Sequence, residues 1–159
     1  MPVMRPNSSD PGIYSLIQAL INRVLGNPTL VASGTGVAWS AVDYAIEERV
    51  YSLAASNVAF SGLTNTSATQ TRKVRVEVNA AGTLSFKEGP AATALALASL
   101  PRRTASLCTL GWFDVPVSFT YGTTAASSLT FYNGDPDLGD GSGLPPNDRG
   151  IDATILTAP

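Results

Sequence analysis

"RKVRVEVNAAGTLSFKEG", Arg72 to Gly89, decides the fold class. Val74, Val76 and Val78 alternate with Lys73, Arg75 and Glu77, the period of two that sends successive side chains to opposite faces of a strand. Ala80, Ala81 and Gly82 supply a turn, and Leu84 and Phe86 return, so the stretch predicts a β-hairpin.

The same grammar extends on both sides. Upstream, "AVDYAIEERVYSLAA" alternates through Val42, Tyr44 and Ile46 and resumes at Val50 and Leu53, which predicts two strands joined by a tight turn at Glu47 and Glu48. "NVAFSGL" predicts a further short strand, and the polar tract Thr64 to Thr71 a loop. Downstream, "AATALALASLP" fits either a short helix or an extended crossing segment that Pro101 ends. "LCTLGWFDVPVSF" predicts a strand that Pro116 bends or closes at an edge, and "SLTFYN" a last one. Together these predict a mainly β protein, a sandwich or partly open barrel of short antiparallel strands. No internal repeat of fixed period is visible.

One helix is expected in front of the strands. Asp10 is placed to cap it and Pro11 stands at its first position, while Ile13, Leu16, Ile17, Leu20, Ile21, Val24 and Leu25 follow the three-and-four spacing of one helical face. Gly26 and Pro28 are its expected stops. The apolar face either packs on the protein's own sheet or forms an assembly interface with copies of itself or a partner. The chain thus divides into residues 1–28 (leader and helix), 29–133 (β domain) and 134–159 (an acidic, Gly- and Pro-rich loop and tail).

Composition narrows the chemistry. A chain of 159 residues fits one domain and buries roughly 70% of its unfolded surface if it folds alone. The single cysteine, Cys108, excludes an internal disulfide framework, and with no histidine to activate it reads as a buried small hydrophobe. Absence of histidine also removes the commonest general base and metal ligand. A net charge of -2 with 14% charged residues gives no electrostatic reason to expect nucleic acid. The apolar positions between Ile13 and Leu25 are interrupted by Gln18, Asn22 and Arg23, so neither a secretion signal nor a membrane span is expected, and synthesis in a cytoplasm is.

The conspicuous candidate for chemistry is "NGDPDLGDGSGLPPNDRG", Asn133 to Gly150. A calcium loop needs acidic or amide ligands at positions 1, 3 and 5, glycine at 6 and glutamate at 12; counted from Asn133, position 6 is Leu138 and position 12 is Leu144. A looser calcium site from Asp135, Asp137 and Asp140 stands as the metal candidate, against the alternative of a projecting loop in which glycine and aspartate supply turns. "SGTG" (Ser33 to Gly36) and "GDGSG" (Gly139 to Gly143) lack the lysine of a phosphate loop. Arg102 and Arg103 read as a solvated turn, and Glu77 and Glu88 as carboxylates that only tertiary structure brings together. No catalytic residue and no cofactor is expected, so the chain reads as a non-enzyme.

The order of segments adds a resemblance. "VDYAIEERVYSLAASNVAFSGL", then "TRKVRVEVNAAGTLSFKEGPAATALALASLP", then "LCTLGWFDV" and "FTYGTTAASSLTFYNGD" resemble small structural proteins of tailed-bacteriophage virions, over Ala41 to Asn133. The resemblance departs at Glu47 and Glu48, where a glycine-rich turn is usual, and at the long acidic loop. It implies a capsid decoration or cement protein, a homotrimer bound to the major capsid protein on the virion surface and stabilising the shell, made in the host bacterial cytoplasm, with neither nucleic acid nor membrane as a partner. The alternative it leaves open is a head-fibre or tail adhesin that contacts a host receptor through Tyr132, Asn133 and the Asp135 to Asp140 loop.

Overall fold

The computed structural model describes residues 21–135. Within them the regular elements are ten strands, all paired antiparallel, and two single 3-10 turns. The protein is mainly β, as the period-two patterns predict.

The first strand overturns an expectation. β1 (Arg23–Val24) falls where the last turn of the helix was predicted, and it pairs with Ala45 and Tyr44. Residues 11–20 of that helix lie outside the described residues. The β-branched Val24 gains a place beside Tyr44 against the core, while its neighbour Leu25 stays 45% exposed, so the supposed single face is split between two sides of a sheet.

β2 (Leu30–Ser33), β3 (Gly36–Trp39), β4 (Val42–Ile46), β5 (Arg49–Leu53) and β6 (Ser56–Ala59) follow in a meander. The pairing of β4 with β5, Ile46 opposite Arg49 to Val42 opposite Leu53, continues in unchanged register into β3 and β6, Trp39 opposite Ser56 to Gly36 opposite Ala59. β3–β4 and β5–β6 are therefore the two arms of one long hairpin, with β2 and β1 alongside the first arm. Its turn places Glu47 at φ 50° and Glu48 at φ 67°, a left-handed pair that usually calls for Asn-Gly. The strain is offset locally: the Glu47 amide donates to Asn22 Oδ1 (2.9 Å), and Ser106 Oγ donates to Glu47 Oε1 (2.9 Å).

The Arg72 to Gly89 hairpin forms as predicted. β7 (Arg72–Val78) pairs with β8 (Leu84–Glu88), and Asn79 Oδ1 accepts from the amides of Ala81 and Thr83 (2.9 Å each) to close the turn, where Gly82 takes φ 77°. β9 (Cys108–Val115) and β10 (Thr130–Asn133) complete a four-stranded sheet in the order β10-β9-β7-β8. "AATALALASLP" is an extended crossing with one 3-10 turn, Leu95–Leu97.

The core lies between this sheet and the meander. Val74, Val76, Val78, Phe113 and Val115 meet Leu30, Val37, Tyr44 and Ile46, and Phe60 touches the rings of Phe86, Phe113 and Tyr121 with centroids 5.1–5.5 Å apart. The two parts are stitched at β2 and β10, where the Leu30 amide donates to Asn133 Oδ1 (2.7 Å). Gly111 makes that approach possible, since a Cβ there would overlap the Tyr132 carbonyl and the Leu30 side chain.

Candidate functional site

The far face of β7 holds a feature that the alternation does not announce. Arg75 and Glu77 point away from the valines yet are 2% and 1% exposed, because residues 101–104 and Asp135 cover them. Arg75 donates through Nε to the Pro101 carbonyl (3.1 Å) and through Nη1 to Thr109 Oγ1 (3.3 Å) and Asp135 Oδ1 (3.4 Å). Arg103, its side chain 3% exposed, meets Asp135 Oδ2 from Nη2 at 2.9 Å and donates from the same nitrogen to the Asn22 carbonyl (2.6 Å). Glu77 Oε1 accepts from the Thr104 amide (2.8 Å). Two guanidinium groups and two carboxylates thus balance within one buried cluster. Burial pulls the Arg103 pKa down, and the Asp135 carboxylate pulls it back.

Chemically this is a clip. Each charged end meets an opposite charge or a backbone group, Asp135 the two arginines and Glu77 the Thr104 amide, which is the condition for burying ions without large cost. Arg103 ties Asn22, at the start of the described chain, to Asp135, at its end. Arg103 is not in the solvated turn expected of it; its neighbour Arg102 is exposed. Asp135, the first of the three aspartates proposed for calcium, turns both oxygens to arginines, which leaves it unsuited to a cation; Asp137 and Asp140 lie outside the described residues. Among the described residues no group of three or more His, Cys, Asp or Glu side chains is arranged to hold a metal. Glu77 and Glu88 point to opposite faces of the sheet, since Glu88 stands across from Val74, so they form no acid/base pair. Cys108 is fully buried, and burial pushes its thiol up to about 12, so it remains protonated and unreactive at neutral pH.

Two surface features remain. On the outer side of the β1-β4-β5 sheet, Ile21, Leu25, Ala45 and Val50 form a shallow apolar groove flanked by Arg23 and Glu48, with Val50 65% exposed. Of the predicted assembly residues, Ile21 and Leu25 line this groove, Val24 faces the core, and Ile13, Leu16, Ile17 and Leu20 lie outside the described residues. On the β9–β10 edge, Tyr132 stacks on Trp112 (centroids 4.9 Å apart, planes 9°) and donates to Asp114 Oδ2 (3.1 Å). Burial raises the Asp114 pKa, and the Tyr132 hydrogen bond partly offsets it. Asn133 spends its side-chain oxygen on the Leu30 amide.

No protein-family model, curated protein or solved structure matches the chain. Function is therefore argued from these features. The clip escaped sequence reasoning because Arg75 and Asp135 are 60 positions apart. The only local hint was opposite charges, Arg75 and Glu77, on a short strand whose valines already fill one face.

Proposed function

We propose that the protein is a structural component of a tailed-phage virion, a decoration or cement protein that sits as an oligomer on the major capsid protein and stabilises the shell. We read its two packed layers as a β-sandwich, and its role as structural and not catalytic. The observation that carries the proposal is the apolar groove of Ile21, Leu25, Ala45 and Val50, open on the outside of a sheet and continuous in sequence with the apolar positions Ile13, Leu16, Ile17 and Leu20. Leu25 and Val50, exposed side by side on the outside of a sheet in a weakly charged protein, suit lateral contact with a shell, where affinity comes from many copies. The resemblance over Ala41 to Asn133 points the same way.

The test is a truncation that stops at residue 20. Cutting further would remove Asn22, which holds the Glu47 turn and the Arg103 guanidinium, and β1 itself. Undecorated heads are mixed with full-length protein, with the chain lacking residues 1–20, and with Leu25→Glu, and co-sedimentation is measured. The expected result is loss of binding in both variants; retention by both at full-length affinity removes the groove and its leader from the function.

The Tyr132–Trp112 stack with the Asp114 carboxylate favours a second reading, an adhesin touching a host glycan through this edge. Imaging labelled protein on particles separates the two. An even coat on the head fits the first, and label at fibre or tail tips fits the second.

A further inference from the structure

The molecule's sheet edges are not treated alike. The β1–β2 side begins with Arg23, is interrupted by Pro28, and gives its Leu30 amide to Asn133. β8 carries Lys87 and Glu88 and runs into Gly89 and Pro90, with Glu88 taken by the Thr64 amide (2.7 Å). β10 is four residues long and stops at Gly134, φ 83°. Charges, prolines, short length and cover are the devices that keep edges from pairing with other chains.

β5 has fewer of them among the described residues: its one charge, Arg49, stands at the turn end. Among the described residues its sole strand partner is β4, and from Val50 to Phe60 the chain contains neither a charge nor a proline. The two-residue turn makes Ile46 and Arg49 the first hydrogen-bonded pair, so Tyr51 and Leu53 bond inward to β4 while the main-chain groups of Val50 and Ser52 point outward. The side chains flanking that edge, Val50 and Ser52, are exposed and uncharged. A strand with this pattern is complementary to its own antiparallel copy.

We infer that β5 is a self-association edge: two copies of the chain pair antiparallel through Val50 and Ser52, joining their β1-β4-β5 sheets into one across a two-fold axis. A symmetric pair sets Val50 of one copy across from Ser52 of the other and lays the two apolar grooves side by side on one continuous face, still open to a partner. This is independent of shell attachment, and it differs from the trimer that the virion resemblance implies.

The test uses the full chain. Light scattering of the wild type is expected to give twice the 16.5 kDa chain mass, and Ser52→Pro, which removes an outward N–H and the Ser52 Oγ bond to Asp43 but no main-chain bond to β4, is expected to give one chain mass. Val50→Lys, at an exposed position, is the second variant, expected to be monomeric with an unchanged far-UV circular dichroism spectrum. In oxidising conditions a mixture of Val50→Cys and Ser52→Cys chains is expected to cross-link, because residue 50 of one copy faces residue 52 of the other across the axis. A wild-type monomer or trimer overturns the inference, as does a dimer indifferent to both variants. So does a monomer whose Val50 and Ser52 amides exchange slowly until residues 136–159 are removed, because the chain's own C-terminal segment is then the occupant.

Discussion

β7 has two faces, and both are buried. On one, Val74, Val76 and Val78 pack with Phe113 in an apolar core; on the other, Arg75 and Glu77 pack with Arg103, Asp135, Thr104 and Thr109 in a polar one. The apolar side is non-directional, so its stability tracks area and volume. The polar side depends on each charge keeping its partner, so its stability is all or none at the level of the cluster. The same strand therefore shows how burial alone fails to distinguish a forgiving core from an unforgiving one.

The largest expected effects contrast the two faces directly. Phe113→Ala empties a fully buried ring and is expected to cost about 3–5 kcal/mol by urea unfolding. Asp135→Ala is expected to cost a similar amount, roughly 3–5 kcal/mol, for a different reason: two buried guanidinium groups lose their shared carboxylate. What separates them is rescue. Arg103→Met combined with Asp135→Leu removes one charge of each sign and leaves Arg75 with Glu77, and it is expected to regain most of the loss of Asp135→Ala. A double variant as unstable as Asp135→Ala alone shows that specific geometry and not charge balance holds this face.

An intermediate effect probes a polar group inside the apolar side. Thr66 Oγ1 donates to the Pro116 carbonyl (2.6 Å) and accepts from the Phe119 amide (2.8 Å), fixing the chain as it leaves β9. Thr66→Val keeps shape and removes both bonds, so a loss of about 1–3 kcal/mol in chemical denaturation is expected. No loss would mean that the β9 exit is held by packing alone.

The smallest effect concerns pH at the sheet edge. Burial raises the Asp114 pKa in the folded protein above its unfolded value, so the native state holds that proton more tightly, and stability falls as pH climbs from the unfolded value up through the raised one. Asp114→Asn removes that loss. Its melting temperature is expected to exceed the wild type slightly at neutral pH, with the difference vanishing near about pH 3, where both states are protonated. A gain that persists in acid points instead to a change in the Tyr132 contact.

Much of the fold was legible because its determinants are local. The β7–β8 hairpin needs only alternating valines and a turn that Asn79 and Gly82 close. The Glu47–Glu48 turn was legible from the strands on either side, although its residues are poor for it, since Asn22 and Ser106 support it from 25 and 59 positions away. The β2–β3 hairpin was less so: glycine, serine and threonine around Leu30 to Trp39 signal extended chain without fixing a register. The end of the helix is not legible, because Val24 and Leu25 satisfy helical spacing and only β4 offers the contacts that claim them, Tyr44 opposite Val24 and the Asp43 carbonyl for the Leu25 amide.

The sequence by itself determined the strand content, the inward set Val74, Val76 and Val78, the burial of Cys108, and the absence of a histidine-based site. These follow from side-chain period and composition, which act within a few residues. Tertiary structure alone decided that the Arg75, Glu77 and Arg103 side chains are buried, that Asp135 turns its oxygens to arginines, and which edge of the meander has no strand partner among the described residues. Those outcomes depend on charges and hydrogen-bonding groups meeting across tens of positions, and a buried ion is tolerated only where such a meeting occurs.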